Sequence, residues 1–232
     1  VSMLKAFWGD KATKENDFCY DWLPKFSKPH SFMEIFTDMV DKKIKGMLIF
    51  GMNPLVSGPN YEKTAAGLEN LEWLLSMDLF ESETARFWKR PGADPKKIQT
   101  EVFLFPAAAM VEKSGSATNT SRLMQMRYRA VEPTGDSKED SAVMNLLIAE
   151  LKKLYANDPA AVFPDPIVNL TWDYGGEHHN PDLVFKEING WDVNTKQQVP
   201  GFAALKDDGS TTSGCWIYAG MVPPAGNLAR RR

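Results

Sequence analysis

The first regular pattern of apolar and polar positions in the chain begins at Ser31. Apolar side chains recur there every three or four residues, a spacing that places them on one face of a helix. Ser31 and Glu34 have the spacing of a capping box, and Gly46 stands where a helix C-cap is common. The pattern therefore predicts a helix over residues 31–46. The residues that share its apolar face are Phe32, Ile35, Phe36, Met39 and Val40.

Three short apolar runs follow this helix, and each ends at a residue that does not continue a buried strand. They cover residues 47–50, 73–77 and 102–105, and the second and third are closed by Asp78 and Pro106. A helical pattern lies between the first two runs, and a longer one covers residues 141–155. This alternation predicts an α/β fold with an open, mostly parallel, Rossmann-like sheet flanked by helices.

Both ends of the chain lack this periodicity. Prolines and isolated aromatic residues are scattered after residue 159, over a stretch too long for an ordinary loop. We therefore predict three segments. Residues 1–30 form an irregular segment, residues 31–158 a Rossmann-like cofactor-binding domain of the dinucleotide type, and residues 159–232 an irregular insertion that packs on this domain.

Composition narrows the class of protein. The 27 basic and 30 acidic residues give a net charge of −3, which argues against nucleic acid as a partner. No apolar run approaches the roughly 18–20 residues of a membrane helix, so no transmembrane segment is predicted. Cys19 and Cys215 are too few to bind an iron–sulfur cluster. Because Val1 is not an initiator methionine, we expect the chain to be a fragment.

Polar residues that follow the strands are candidates for ligand binding, since ligands of parallel sheets bind beyond the carboxyl ends of the strands, near a topological switch point. Asn53 lies in the loop after the first run, and Asp78 ends the second. Loop capping by Asn53 and helix capping by Asp78 explain the same residues equally well. The composition of a third loop, residues 111–122, is typical either of a loop that contacts a polar ligand or of a solvent-exposed loop. The glycine fingerprint of nucleotide folds is absent, which disfavours an ordinary NAD site.

Catalytic motifs are missing from the sequence. No G-x-S-x-G elbow or Cys/His arrangement indicates a nucleophile, and no ligand spacing indicates a metal site. We therefore predict no catalytic residue and no metal ligand within this chain.

The loops after the strands carry a family resemblance. In their order along the chain, these motifs resemble the third domain of molybdopterin oxidoreductases of the dimethyl-sulfoxide-reductase family. Flanking motifs are similar to the catalytic alpha subunit of respiratory formate dehydrogenases, as an interior fragment. The loop motifs are residues 48–54, residues 77–85, Pro106, and residues 112–115 with Asn119, Arg122 and Gln125; the flanking motifs are residues 8–10, 15–18, 20–24, 98–103, 169–172, 207–209, 215–217 and 226–227.

The resemblance implies both chemistry and partners. Such enzymes oxidise formate to CO2 at Mo or W held between two molybdopterin guanine dinucleotides (bis-molybdopterin guanine dinucleotide). They pass electrons to a [4Fe–4S] cluster, which would be bound outside this segment. The implied partners are the rest of the alpha subunit and an iron–sulfur beta subunit, and the implied location is the periplasm, in anaerobic respiration. The fragment alone is predicted to be inactive.

The resemblance also implies roles for particular residues. Met52 and Asn53 would contact the cofactor from the first loop, and Met77 and Asp78 would bind its guanosine end. Lys113 would supply charge to the dinucleotide, and Asp140 would add a polar contact. Two alternatives stay open: another molybdopterin oxidoreductase such as a periplasmic nitrate reductase, which Lys113 matches better, and a non-catalytic scaffold of the same fold.

Overall fold

The computed structural model describes residues 1–119, 123–176 and 179–230. These residues fall into two compact units. The sheet unit comprises Phe26–Glu112 and Glu132–Asp140, and the loop unit comprises Val1–Lys25, Lys113–Val131 and the part of the chain from Ser141 onward. The three predicted functional segments stay a prediction.

Seven α-helices, five strands and several short 3-10 helices make up the described residues. The α-helices are α1 (Ser2–Trp8), α2 (Phe32–Val40), α3 (Pro54–Ser57), α4 (Tyr61–Glu69), α5 (Asp140–Asn157), α6 (Asp165–Val168) and α7 (Pro181–Asn189). The strands are β1 (Gly46–Phe50), β2 (Trp73–Asp78), β3 (Glu101–Pro106), β4 (Gly115–Asn119) and β5 (Leu123–Arg127). The 3-10 helices are Gly9–Lys11, Lys14–Trp22, Phe87–Lys89, Met110–Glu112, Phe202–Ala204, Trp216–Tyr218 and Leu228–Arg230.

The sheet unit contains the predicted parallel sheet. Strands β1, β2 and β3 pair in parallel and in chain order, with Ile49, Ser76 and Leu104 in register. The predicted α/β class and all three strands are confirmed. Because neighbouring strands are consecutive in sequence, these three strands contain no topological switch point, and the carboxyl edge alone defines the candidate site.

Helices α2 and α4 supply the apolar residues that cover one face of this sheet. Their packing is close, since a Cβ on Gly67 would lie 3.1 Å from the Cβ of Met39. Removal of these side chains from water is the main force that stabilises the unit. The buried core residues are Phe36, Met39, Ile49, Leu55, Ala65, Leu68, Leu71, Leu74 and Phe87.

The ends of α2 correct two details of the sequence prediction. The helix ends at Val40, where Lys42 adopts a left-handed φ of 58°, so Gly46 is the first residue of β1 and not a C-cap. Ser31 Oγ accepts a hydrogen bond from the Glu34 N–H at 3.3 Å, as predicted. The Glu34 carboxylate, however, pairs with Lys28 at 3.4 Å. Only the serine half of the expected capping box is therefore seen.

The loop unit contains most of helix α5 and, apart from it, mainly short elements joined by irregular chain. It also contains elements that the apolar pattern did not predict: α1, α6, α7 and the antiparallel hairpin of β4 and β5. Helix α7 begins at Pro181 because proline fits the first helical position and Asn180 Oδ1 accepts the Asp182 N–H at 3.0 Å. Strand β4 occupies much of the predicted loop 111–122, whose last three residues, 120–122, lie outside the described residues. The predicted helix at 141–155 is confirmed as α5.

Candidate functional site

The carboxyl edge of the sheet is joined across its strands by backbone hydrogen bonds. Gly51 N–H donates to Met77 O at 2.8 Å, and Ala107 N–H donates to Asp78 O at 3.0 Å. Ala107 also forms a parallel bridge with Lys138, which continues the edge beyond β3. The loops after all three strands and the start of α5 therefore lie along one edge of the sheet unit.

Asn53 connects the loop after β1 to the loop after β2. Its Nδ2 donates to Glu83 Oε2 at 2.6 Å, and its Oδ1 accepts from the backbone N–H and the hydroxyl of Thr84 at 3.1 and 2.7 Å. Thr84 is fully buried, and its hydroxyl accepts the Leu55 N–H at 2.9 Å. Hydrogen bonds from its own backbone and from Asn53 hold the pKa of the Glu83 carboxyl below its usual range. The Asn53 amide therefore fixes the shape of the edge.

Met77 and Asp78, the last two residues of β2, differ in exposure. The Met77 side chain is fully buried, so it fixes the strand end and does not reach the surface. Asp78 is partly exposed, and its Oδ1 accepts the N–H of Leu79 at 2.7 Å. Within the described chain its Oδ2 accepts no hydrogen bond. One carboxylate oxygen can thus bind N–H or O–H groups of a ligand.

The surface near Asp78 is apolar. Phe80 is 81% exposed, and Leu79 and Met52 are 53% and 44% exposed. These residues lie on the loops that follow two adjacent strands. Exposed apolar groups beside an open carboxylate suit a flat ligand that carries hydrogen-bond donors on one edge.

Glu112 is a residue of this edge whose role the sequence analysis did not identify. Its Oε1 accepts the Thr134 hydroxyl and its Oε2 accepts the Ala109 N–H, both at 2.7 Å. These two hydrogen bonds hold the pKa of the Glu112 carboxyl below its usual range, and the bond from Thr134 has the larger effect. They tie the loop after β3 to the segment that leads to Asp140. Glu112 and Thr134 lie 22 residues apart, so no local sequence signal reveals this pair.

The structure brings five of the six predicted site residues into one unit. Met52, Asn53, Met77 and Asp78 follow or end β1 and β2, and Asp140 opens α5 two residues after Lys138. The sixth, Lys113, is partly buried and belongs to the loop unit.

Comparisons with known proteins identify the family. The family model described as Molybdopterin oxidoreductase matches residues 24–150, more than half of the chain. The chain belongs to the molybdopterin oxidoreductase family. The matched residues contain the whole sheet unit and also parts of the loop unit, so the candidate edge lies inside the family region.

Relatives of this molybdopterin oxidoreductase chain match it over its full length. Formate dehydrogenase 2 subunit alpha (cytochrome c-553) of Nitratidesulfovibrio vulgaris is 42% identical to it. Formate dehydrogenase subunit alpha of Megalodesulfovibrio gigas is 40% identical, and formate dehydrogenase-O major subunit of Escherichia coli is 37% identical. Each match covers 100% of this chain and 24% of the relative. The chain thus spans about a quarter of the length of these relatives, and the predicted family resemblance is confirmed.

The described residues also bear on metal binding and on membrane-spanning helices. No group of three or more His, Cys, Asp and Glu side chains there is placed to hold a metal ion. No helix in those same parts of the chain has the length and apolar character needed to cross a membrane.

Proposed function

We propose that the chain is the part of a formate dehydrogenase catalytic subunit that helps to bind one molybdopterin guanine dinucleotide. The observation that carries the proposal is the open Oδ2 of Asp78 at the carboxyl edge of a parallel sheet. Family membership supports a molybdopterin cofactor, and the relatives that match the full chain are formate dehydrogenase subunits.

The residues at this edge fit the guanosine end of such a cofactor. A carboxylate accepts two hydrogen bonds from the donor edge of guanine or from a ribose. Leu79 and Phe80 offer apolar surface for the flat base, and Met77 holds the strand end below Asp78. Met52 would contact the cofactor from the neighbouring loop, whose course Asn53 fixes. Asp140 would add a polar contact, and Lys113 would supply positive charge.

The chemistry of the complete enzyme follows from this assignment. When bound, the cofactor supplies the Mo or W centre at which formate loses two electrons and a proton to give CO2. The residues of this chain bind and orient the dinucleotide. We propose that the metal-ligating residue, the second dinucleotide contacts and the [4Fe–4S] cluster belong to the rest of the alpha subunit. An iron–sulfur beta subunit and a periplasmic location complete the proposal.

The test is substitution of Asp78 in the complete catalytic subunit. Asp78→Ala removes a charged hydrogen-bond acceptor and should weaken the free energy of cofactor binding by about 1.5–3 kcal/mol. We therefore expect cofactor retention to fall roughly ten- to a hundredfold. The measurement is the guanine nucleotide and molybdopterin released per denatured subunit.

Asp94→Ala is the matched control for this experiment. Asp94 also accepts a backbone N–H, from Lys96 at 3.2 Å, but it lies in the connection that precedes β3. We expect its cofactor content to be unchanged. Full cofactor content in the Asp78→Ala subunit would contradict the proposal, whatever happens to turnover. The 232-residue chain alone should not oxidise formate.

A further inference from the structure

The loop unit presents an exposed cluster of large apolar side chains, here called the aromatic patch: Phe202, Trp216 and Ile217. The two aromatic residues are each 61% exposed, and Ile217 is 50% exposed. The rings of Phe202 and Trp216 contact each other, with centroids 5.4 Å apart and planes inclined at 55°. Clustered exposed aromatic residues mark surfaces at which proteins bind one another.

A single buried side chain holds the two loops that carry the patch. Asn189 is fully buried, and its Oδ1 accepts the N–H groups of Gly220 and Val222 at 2.7 and 2.9 Å. Its Nδ2 donates to Val199 O at 3.1 Å. The loops also meet backbone to backbone, since a Cβ on Gly220 would lie 3.2 Å from Gly201 Cα. The patch is thus fixed in advance, which reduces the entropy lost when a partner binds.

The loops around the patch carry no side-chain charge. Residues 199–205 and 215–229 include no Asp, Glu, Lys, Arg or His, although 25% of the whole chain is charged. Charge-poor surfaces with aromatic anchors resemble the buried core of permanent interfaces. A partner that binds and leaves in water would more commonly be met by a polar surface. The chemistry of the patch therefore points to a permanent apolar neighbour.

The length of the relatives identifies that neighbour. This chain covers 24% of each of the three formate dehydrogenase subunits named above, so about three quarters of such a polypeptide lies beyond residues 1–232. We infer that the aromatic patch docks onto this remaining part of the same catalytic polypeptide. The inference rests on family membership and is independent of the cofactor role of Asp78.

Hydroxyl-radical footprinting of the complete catalytic subunit tests the inference. Phe163 is the matched reference, because it is an aromatic residue of the same unit with 54% exposure and no place in the patch. In the isolated complete subunit we expect Phe202 and Trp216 to be oxidised at least about tenfold more slowly than Phe163, since buried side chains are shielded from solvent.

Three other footprinting results would each overturn the inference. Oxidation of the patch at the rate measured for the same residues in the denatured subunit would show that it is uncovered. Protection that appears only after other subunits are added would assign the patch to a separate subunit. Protection that depends on subunit concentration would assign it to a second copy of the chain.

Truncation of the patch gives a second measurement. Phe202 and Trp216 are mostly exposed within this chain, so their replacement should leave its own fold intact. In the complete subunit we expect the combined Phe202→Ala and Trp216→Ala change to lower Tm by about 3 °C or more, with a shift below about 1 °C for Phe163→Ala. Equal Tm shifts in the two variants would contradict the docking.

Discussion

The sheet unit and the loop unit differ in how much side-chain hydrogen bonds add to an apolar core. In the sheet unit, apolar side chains from α2, α4 and the strands form one core. In the loop unit, a smaller apolar cluster around Trp8 and Phe18 is accompanied by polar side chains that bind the backbone directly. Asn16 accepts the N–H groups of Thr13 and Cys19 at 3.0 and 3.1 Å, and Asn189 binds the backbone of two loops. Both units therefore bury apolar surface, and in the loop unit side-chain hydrogen bonds to the backbone also fix the irregular loops.

This difference has a functional consequence. A periodic core leaves the ends of parallel strands at one edge, where the loops carry Asn53 and Asp78. Irregular loops have no such edge, but a buried amide can hold them in a fixed shape and let them present Phe202 and Trp216. The sheet unit is thus suited to bind a small ligand, and the loop unit to bind another part of a protein.

Removal of a core side chain should have the largest effect and should act on the sheet unit. Phe87 is fully buried in its core, so Phe87→Ala is expected to cost about 4 kcal/mol. The measurement is the free energy of local opening from hydrogen exchange at the β1–β3 amides of the complete subunit. Phe26→Ala is the control, because Phe26 lies in the same unit and is 73% exposed. This variant should change the free energy of local opening by less than about 0.5 kcal/mol. If Phe87→Ala lowers the free energy of opening by less than about 1 kcal/mol, burial of apolar side chains is not what stabilises this unit.

The corresponding change in the loop unit is Asn189→Ala. It leaves the buried N–H groups of Gly220 and Val222 without an acceptor, and we expect a cost of about 3 kcal/mol. Hydrogen exchange at these two amides measures it directly. Asn157→Ala, which removes only an exposed bond to Lys153 O, should have little effect. If the two variants behave alike, side-chain hydrogen bonds do not hold these loops.

A change at the candidate edge separates polar from apolar contributions within the sheet unit. Thr84→Val keeps the volume of a fully buried side chain but removes the hydroxyl that joins Asn53 to Leu55. We expect a loss of about 2 kcal/mol, seen as faster exchange of the Leu55 amide. Thr118→Val in exposed β4 is the control. Unchanged exchange at Leu55 would mean that the core alone fixes this loop.

The elements of the fold that could be predicted are those with a local periodic pattern of apolar residues. The strands β1–β3 and helix α5 follow from apolar spacing, and the structure confirms them. The scattered prolines after residue 159 predict irregular chain, so the pattern does not predict helix α7, although Pro181 fits its first helical position. The pattern predicts the end of α2 at Gly46, but the helix ends at Val40 and the left-handed residue after it is Lys42, which has no sequence signal for that conformation.

The candidate site was predictable only in part, for a related reason. The positions of Asn53 and Asp78 after strands follow from the chain pattern. The bonds that define the edge join residues far apart, such as Asn53 to Thr84 and Glu112 to Thr134. A single sequence contains no record of such pairs. It likewise did not reveal that Met77 is fully buried while Asp78, its neighbour, keeps one oxygen open.

The smallest predicted effect is a pH dependence confined to the loop unit. Glu187 is part of the wall of a cavity of about 490 Å³, and it accepts a hydrogen bond from the Tyr174 hydroxyl at 2.5 Å. Burial raises the pKa of Glu187 above its ordinary 4.5, and burial also raises the pKa of Tyr174. Between the unfolded and folded pKa values of Glu187, the folded state binds more protons than the unfolded state. The stabilisation is therefore complete below about pH 4.5 and is lost as pH rises through the folded pKa.

Local hydrogen exchange around α7, measured in the complete subunit between pH 7 and pH 5, tests this sign. After correction for intrinsic exchange, the free energy of opening should rise as the pH falls. Glu187→Gln keeps the shape of the side chain without a titrating proton, so it should abolish the slope. Glu150→Gln, at an exposed residue paired with Lys153, should retain it. A slope that survives Glu187→Gln, or that has the opposite sign, would show that another group controls the pH dependence of this region.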